Sequence, residues 1–306
     1  MRIIILLILI LSSCFACEEG APSSPYIMIL GTVQDGGYPQ AGCKKSCCKK
    51  AFENKEQSKK ISSLAIIDPI SKEQWIIDAT PDFRIQLHEL QKQTNINNLS
   101  GIFLTHAHIG HYLGLAQLGR EVMGNKKTNV FCLKRMLDFL SYNGPWDQLV
   151  KLNNIILQEI YDEQTTILNQ RISITPFLVP HRDEYSETVG YKIATKNKKL
   201  IYIPDIDKWD RWDKDIVNLI KNVDYAFLDG TFYKEGELNR DMSMIPHPFV
   251  KESMGLFNQL SNDNKKKIFF THLNHTNPLL IKGSKEQVEV LNNGYNFATD
   301  RLIIEL

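Results

Sequence analysis

Neither sign of charge dominates this chain: 36 lysines and arginines stand against 35 aspartates and glutamates, leaving a formal charge of +1. With no net field to draw it to a polyanion, it is not expected to bind nucleic acid. Six cysteines in 306 residues are too few for a disulfide scaffold, and 17 glycines with 12 prolines are too few for a fibrous or disordered chain. No apolar run is long enough to span about 30 Å of hydrocarbon. What remains, with 43% hydrophobic and 23% charged residues, is the composition of a packed enzyme or binding domain.

Residues 1–13 (MRIIILLILILSS) stand apart from that domain. Arg2, a short apolar run from Ile3 to Ile10 and then small polar residues have the character of a signal peptide. Leu11-Ser12-Ser13-Cys14 resembles a bacterial lipobox, in which cleavage before the cysteine exposes a thiol for diacylglyceryl attachment. Cys14 is therefore the expected lipid anchor, and the protein is expected to be exported and held at a membrane of the cell envelope. A plain secretory signal, or use of Cys17, is the competing reading. Residues 14–25, which include EEGAPSSP, read as a tether, and residues 26–306 as one domain.

From Pro25 the pattern is strands, a helix, then strands, and it recurs in the second half. Apolar and β-rich runs place strands at Tyr26–Val33, Ser63–Asp68, Gln74–Asp78 and Gly101–Thr105. Later strands are expected at Ile172–Pro176, Val189–Ala194, Leu200–Pro204, Tyr225–Asp229 and Lys267–Thr271. The two runs ending in Asp68 and Asp78 suggest a hairpin. Helical spacing of Phe83, Leu87 and Leu90 predicts a helix over Pro81–Gln93, with others over Tyr112–Met123, near Asp213–Lys221 and over Phe249–Leu260.

The informative residues stand where strands end. Thr105-His106-Ala107-His108-Ile109-Gly110-His111 holds three of the eight histidines within one heptapeptide. A turn after a strand can aim all three imidazoles at one centre, and imidazole is a common ligand of zinc, iron and manganese. THAHIGH resembles the HxHxDH signature of the metallo-β-lactamase superfamily, with Gly110 in place of the aspartate. Asp78 in IIDATPDF, His181 in LVPHRDEYSETVGY, Asp205 in LIYIPDI and His272 in IFFTHLNHTNP resemble its remaining motifs, in order. Within the superfamily, LGTVQDGGYPQAGCKKSCC, LDGTF and HLNHTNP are similar to the coenzyme PQQ biosynthesis protein B family. That family has typically lost the first two histidines of the signature, which this chain keeps. The cyclic phosphodiesterases of phosphonate metabolism have a similar opening.

The resemblance implies an α/β (α+β) fold, the four-layer αββα sandwich, over essentially all of residues 26–306. It also implies one or two divalent metals, with zinc favoured and iron or manganese possible. His106, His108 and His181 would hold the first, and Asp205, His111 and His272 the second, Asp205 lying between them. Asp78 would orient the ligands by hydrogen bonding. Gly110 removes one carboxylate, so the second metal is expected to bind more weakly. His247 in SMIPHPFVKES matches a region where the phosphodiesterases place a histidine that helps the leaving group, and an exposed loop histidine is the plainer alternative. Asp35 reads as a loop residue at the mouth, and Trp209 and Trp212 as packing residues.

Both relatives further imply a structural zinc held here by Cys43, Cys47, Cys48 and His275, although the spacing Cys-x3-Cys-Cys departs from theirs. A disulfide is the competing reading, and Cys132 reads as a buried core thiol. The expected activity is metal-dependent hydrolysis of a small-molecule substrate, a phosphodiester or related ester, with Asp205 and His247 as catalytic groups. A role in PQQ biosynthesis, or an exported protein that binds a ligand without turnover, are the alternatives.

Overall fold

The computed structural model describes residues 23–306. The expected signal peptide over residues 1–13, Cys14, Cys17 and most of the expected tether lie outside the described residues. Among the described residues no helix is long and apolar enough to cross a membrane.

The first strand, β1 (Tyr26–Gly31), is buried along its whole length. Its side chains alternate between two cores: Tyr26, Met28 and Leu30 enter one, Ile27 and Ile29 the other. A strand covered on both faces needs an unbroken apolar run. The same sheet holds β2 (Ser63–Asp68), β3 (Glu73–Ile77), β4 (Gly101–Phe103), β5 (Thr128–Cys132) and β6 (Ile155–Glu159). The second half of the chain forms β7 (Thr166–Ile167), β8 (Ser173–Leu178), β9 (Val189–Ala194), β10 (Lys199–Ile203), β11 (Tyr225–Asp229), β12 (Ile268–Thr271) and β13 (Asn296–Phe297). Then β14 (Ile303–Glu305) returns to pair antiparallel with β1. The sheet orders are β14-β1-β2-β3-β4-β5-β6 and β13-β12-β11-β10-β9-β8-β7.

The sheets face each other across a shared core in which Ile27, Ile66, Trp75 and Phe103 meet Ile174, Tyr191, Tyr202 and Phe227. Helix Phe83–Thr94 covers the outer face of the first sheet through Phe83, Leu87 and Leu90. Helices Ile216–Lys221, Val250–Leu256 and Lys285–Asn292 cover the second, through residues such as Ile220, Val250 and Val290. The result is the αββα sandwich. Leu90 is fully buried, and truncating such a leucine to alanine costs roughly 2–5 kcal/mol.

The hairpin forms as β2 and β3, with Asp68 opposite Glu73. The helix expected over Tyr112–Met123 does not. A short helix at Ile109–Tyr112 runs into a 3-10 segment at Leu113–Leu118. The backbone here bonds sideways rather than along a helix axis: Ala79 N donates to His111 O at 2.9 Å, and Gly114 N to Ala79 O at 2.9 Å. A β-carbon at Gly114 would lie 2.2 Å from Thr80 O, so glycine permits this approach. The helix expected over Phe249–Leu260 is Val250–Leu256 followed by a 3-10 turn at Phe257–Gln259.

Candidate metal centre

Carboxyl ends of strands from both sheets deliver the chemistry-bearing residues. Asp78 follows β3, His106 follows β4, Asp205 follows β10, Asp229 ends β11 and His272 follows β12. Asp78 and His272 hold left-handed backbone, with φ of 68° and 59°. Neither is a glycine, and such positions persist where the surrounding structure fixes them.

Ligand atoms of His106, His108, His181 and Asp205 all lie within 4.8 Å of one another, as do those of Asp35, His111, Asp205 and His272. Asp205 joins the two sets. Its Oδ1 is 3.3 Å from His181 Nε2, while its Oδ2 is 3.5 Å from His106 Nε2 and 3.8 Å from His272 Nε2. The structure thus brings together every residue of the sequence-derived ligand set.

The far nitrogens explain how the rings are aimed. His106 Nδ1 meets Thr105 Oγ1 at 3.0 Å, His111 Nδ1 donates to Asp78 Oδ2 at 2.7 Å, and His181 Nδ1 donates to Asp207 Oδ1 at 3.2 Å. His272 Nδ1 meets Thr231 Oγ1 at 3.0 Å, and Thr231 in turn donates to Asp229 at 2.7 Å. With Nδ1 held in each ring, Nε2 faces inward, the arrangement that orients metal-ligating histidines. Thr105, Asp207, Asp229 and Thr231 were not read from the sequence. Asp229 ends a strand in LDGTF, which was the available signal.

Nε2 of His106, His111, His181 and His272, with Oδ1 of Asp35 and Asp205, are buried without a hydrogen-bond partner. Leaving this many polar atoms unpaired is costly, and their convergence on two points is what a pair of cations would satisfy. The donor set, imidazole with carboxylate, fits zinc, iron or manganese. Burial would raise the Asp205 pKa, but the imidazoles of His181, His247 and His272 hold it well below the carboxylate range.

The second set is not short of a carboxylate, as Gly110 had suggested. Asp35 is inside it, with Oδ1 3.0 Å from His111 Nε2 and 3.5 Å from His272 Nε2. Burial would raise the Asp35 pKa, but His111 and His272 hold it well below the carboxylate range. His247 is buried rather than an exposed loop residue. Its Nδ1 is 2.8 Å from Asp229 Oδ2 and 3.1 Å from Asp205 Oδ1. Burial disfavours charge on that ring, while Asp229 and Asp205 raise its pKa well above the usual value.

A cleft of about 480 Å³ opens beside His247. Lys45, Arg182 and Arg240 line it.

Cys43, Cys47, Cys48 and His275 form a separate cluster with ligand atoms within 4.8 Å of one another. Helix Ser46–Glu53 carries Cys47 and Cys48 in its first turn, which supplies the bend that adjacent ligands need. The cysteines are free thiols, with Cys43 Sγ 3.9 Å from Cys47 Sγ, far beyond the roughly 2.05 Å of a disulfide. Cys132 is buried in the first core. Trp209 and Trp212 pack, their indole nitrogens donating to Ser253 Oγ and Leu178 O.

Residues 74–273 match the family described as a beta-lactamase superfamily domain, and the chain belongs to that family. Coenzyme PQQ synthesis protein B of Methylorubrum extorquens strain PA1 is 25% identical over 312 residues, covering 92% of this chain and 100% of that protein. The crystal structure of Zn(2+)-bound PqqB from Methylobacterium extorquens superposes with a TM-score of 0.77 at 24% identity, covering 92% of this chain and 100% of that one. A diphosphatase from the PhnP family gives a TM-score of 0.65 at 19% identity, covering 92% and 97%.

Proposed function

We propose that this protein is a metal-dependent hydrolase of a small anionic ester, preferably a phosphodiester. The observation that carries the reading is the convergence of buried, unpartnered imidazole and carboxylate atoms about Asp205. Divalent ions bound there would supply Lewis acidity and lower the pKa of water, which is the chemistry hydrolysis requires.

The chain's own residues supply the rest. Lys45, Arg182 and Arg240 around the cleft favour an anionic substrate. His247 lines the same cleft, its Nδ1 fixed by Asp229, and among the described residues no group hydrogen-bonds its Nε2. In this reading that nitrogen gives a proton to a leaving oxygen. We assign Cys43, Cys47, Cys48 and His275 to a closed zinc site that ties the loop before helix Ser46–Glu53 to the segment after His272. The Cys14 lipid anchor, and with it a place in the cell envelope, rests on LSSC; a Cys14→Ser variant should lose membrane association, and equal association would contradict it.

Turnover of phosphodiesters by the zinc-loaded full chain, compared with His106→Ala, tests the hydrolase reading. The chain's similarity to coenzyme PQQ synthesis protein B over 92% of its length favours one alternative, a role in PQQ biosynthesis. Stoichiometric capture of a ligand with no product would instead mark a binding protein.

A further inference from the structure

Glycine at position 110 has no backbone reason to be there. Gly110 lies in the short helix Ile109–Tyr112 and is not among the residues with positive φ. Alanine would favour the helix. The reason is spatial. A β-carbon on Gly110 would stand 2.2 Å from Asp35 Oδ1 and 2.7 Å from both Asp35 Cα and Cγ. The backbone and the carboxylate of Asp35 fill the volume that any side chain at 110 would take.

Asp35 is held there from both sides. The residues before it are tied to the two sheets' ends: Thr32 N donates to Lys60 O at 2.8 Å, Leu273 N to Thr32 O at 2.8 Å, and Gln34 N to Leu273 O at 3.0 Å. A turn closes after it, with Gly37 N donating to Gln34 O at 2.8 Å. The carboxylate Oδ1 is buried and makes no hydrogen bond, although His111 Nε2 is only 3.0 Å away and itself unpartnered. Two groups this close that do not bond to each other are aimed at a common third point. His272 Nε2 and Asp205 share that point.

We propose that Asp35 is the carboxylate ligand of the second metal position, delivered from the loop after β1 in place of the aspartate absent at 110, and that Gly110 is required to admit it. The inference rests on the metal-centre reading above and adds a ligand and a pairing rule: aspartate at 35 goes with glycine at 110, and the two positions cannot both carry side chains.

The test is zinc content of the purified full chain after loading with zinc sulfate and desalting, measured by inductively coupled plasma mass spectrometry. Asp35→Ala should lose about one zinc per chain relative to the wild type and keep the rest. Gly110→Ala, whose β-carbon would press on the backbone and carboxylate of Asp35, should lose the same zinc. If Asp35→Ala does not fold, the isosteric Asp35→Asn should bind the same zinc about tenfold more weakly or worse in a competition titration. Unchanged zinc content and affinity in the Asp35 variants would overturn the proposal, provided His106→Ala loses zinc. If His106→Ala loses none either, the metal centre itself is refuted and the proposal falls with it.

Discussion

His111 Nδ1 donates to Asp78 Oδ2 at 2.7 Å, and this bond turns the opposite nitrogen of His111 toward Asp35 and Asp205. Asp78 also accepts from Thr105 N and Thr105 Oγ1, so one carboxylate sets the ring and the loop that carries it. Asp78→Asn, which keeps the shape but weakens the acceptor, should lower zinc affinity at the His111 position roughly 10–100-fold. A chelator-competition titration reads this directly, and an affinity equal to the wild type would deny Asp78 its orienting role.

His247 should matter to the chemical step rather than to metal retention. With Nδ1 held by Asp229 and the residue lining the cleft, His247→Asn should lower kcat by about a hundredfold or more while KM and zinc content change little. Loss of zinc with kcat would instead make His247 part of the metal shell.

Glu237 makes stability fall as pH rises. Burial pushes its carboxyl from 4.5 up to about 7, against the hydrogen bonds it accepts from Thr276 Oγ1 and Tyr233 N. Between those values the unfolded chain gives up a proton that the folded protein retains, so folding loses stability through that window and the loss is complete above it. Glu237→Gln should flatten the dependence and unfold at higher temperature than the wild type at pH 8. Thermal unfolding of both proteins from pH 4.5 to 8 checks it; parallel curves would contradict the buried acid.

The cysteine cluster should bind zinc with strong pH dependence. Burial raises the Cys47 pKa and pushes the Cys48 thiol up to about 12, so without metal both are neutral near pH 7. Each must release its proton to ligate, and apparent affinity should rise by about tenfold or more per pH unit. Titrating zinc into the metal-free protein at pH 6.5 and 7.5 measures the slope, and a flat result would exclude thiolate ligation.

The fold was largely legible because both sheets are covered on both faces. Continuous apolar runs such as YIMIL over Tyr26–Leu30 announce themselves, and the ends of such strands deliver Asp78, Asp205 and His272. The stretch at Leu113–Leu118 misled because its apolar spacing suits a helix while its backbone bonds to Ala79. Strands β5, β6, β7, β13 and β14 were missed; in β14, three residues with Ile303 and Glu305 exposed carry almost no pattern, and only pairing with β1 makes them a strand. The histidines were legible as a motif. Asp35 was not, because the meaning of Gly110 lies in which distant side chain occupies the space above it.

The most direct test of the central claim is to count metals per chain in the purified full-length protein and to follow its hydrolysis of bis-p-nitrophenyl phosphate beside His106→Ala. The account predicts metal in the histidine centre, turnover by the wild type, and loss of both metal and turnover in the folded variant. Metal content unchanged by His106→Ala, with no turnover by either protein, would contradict it.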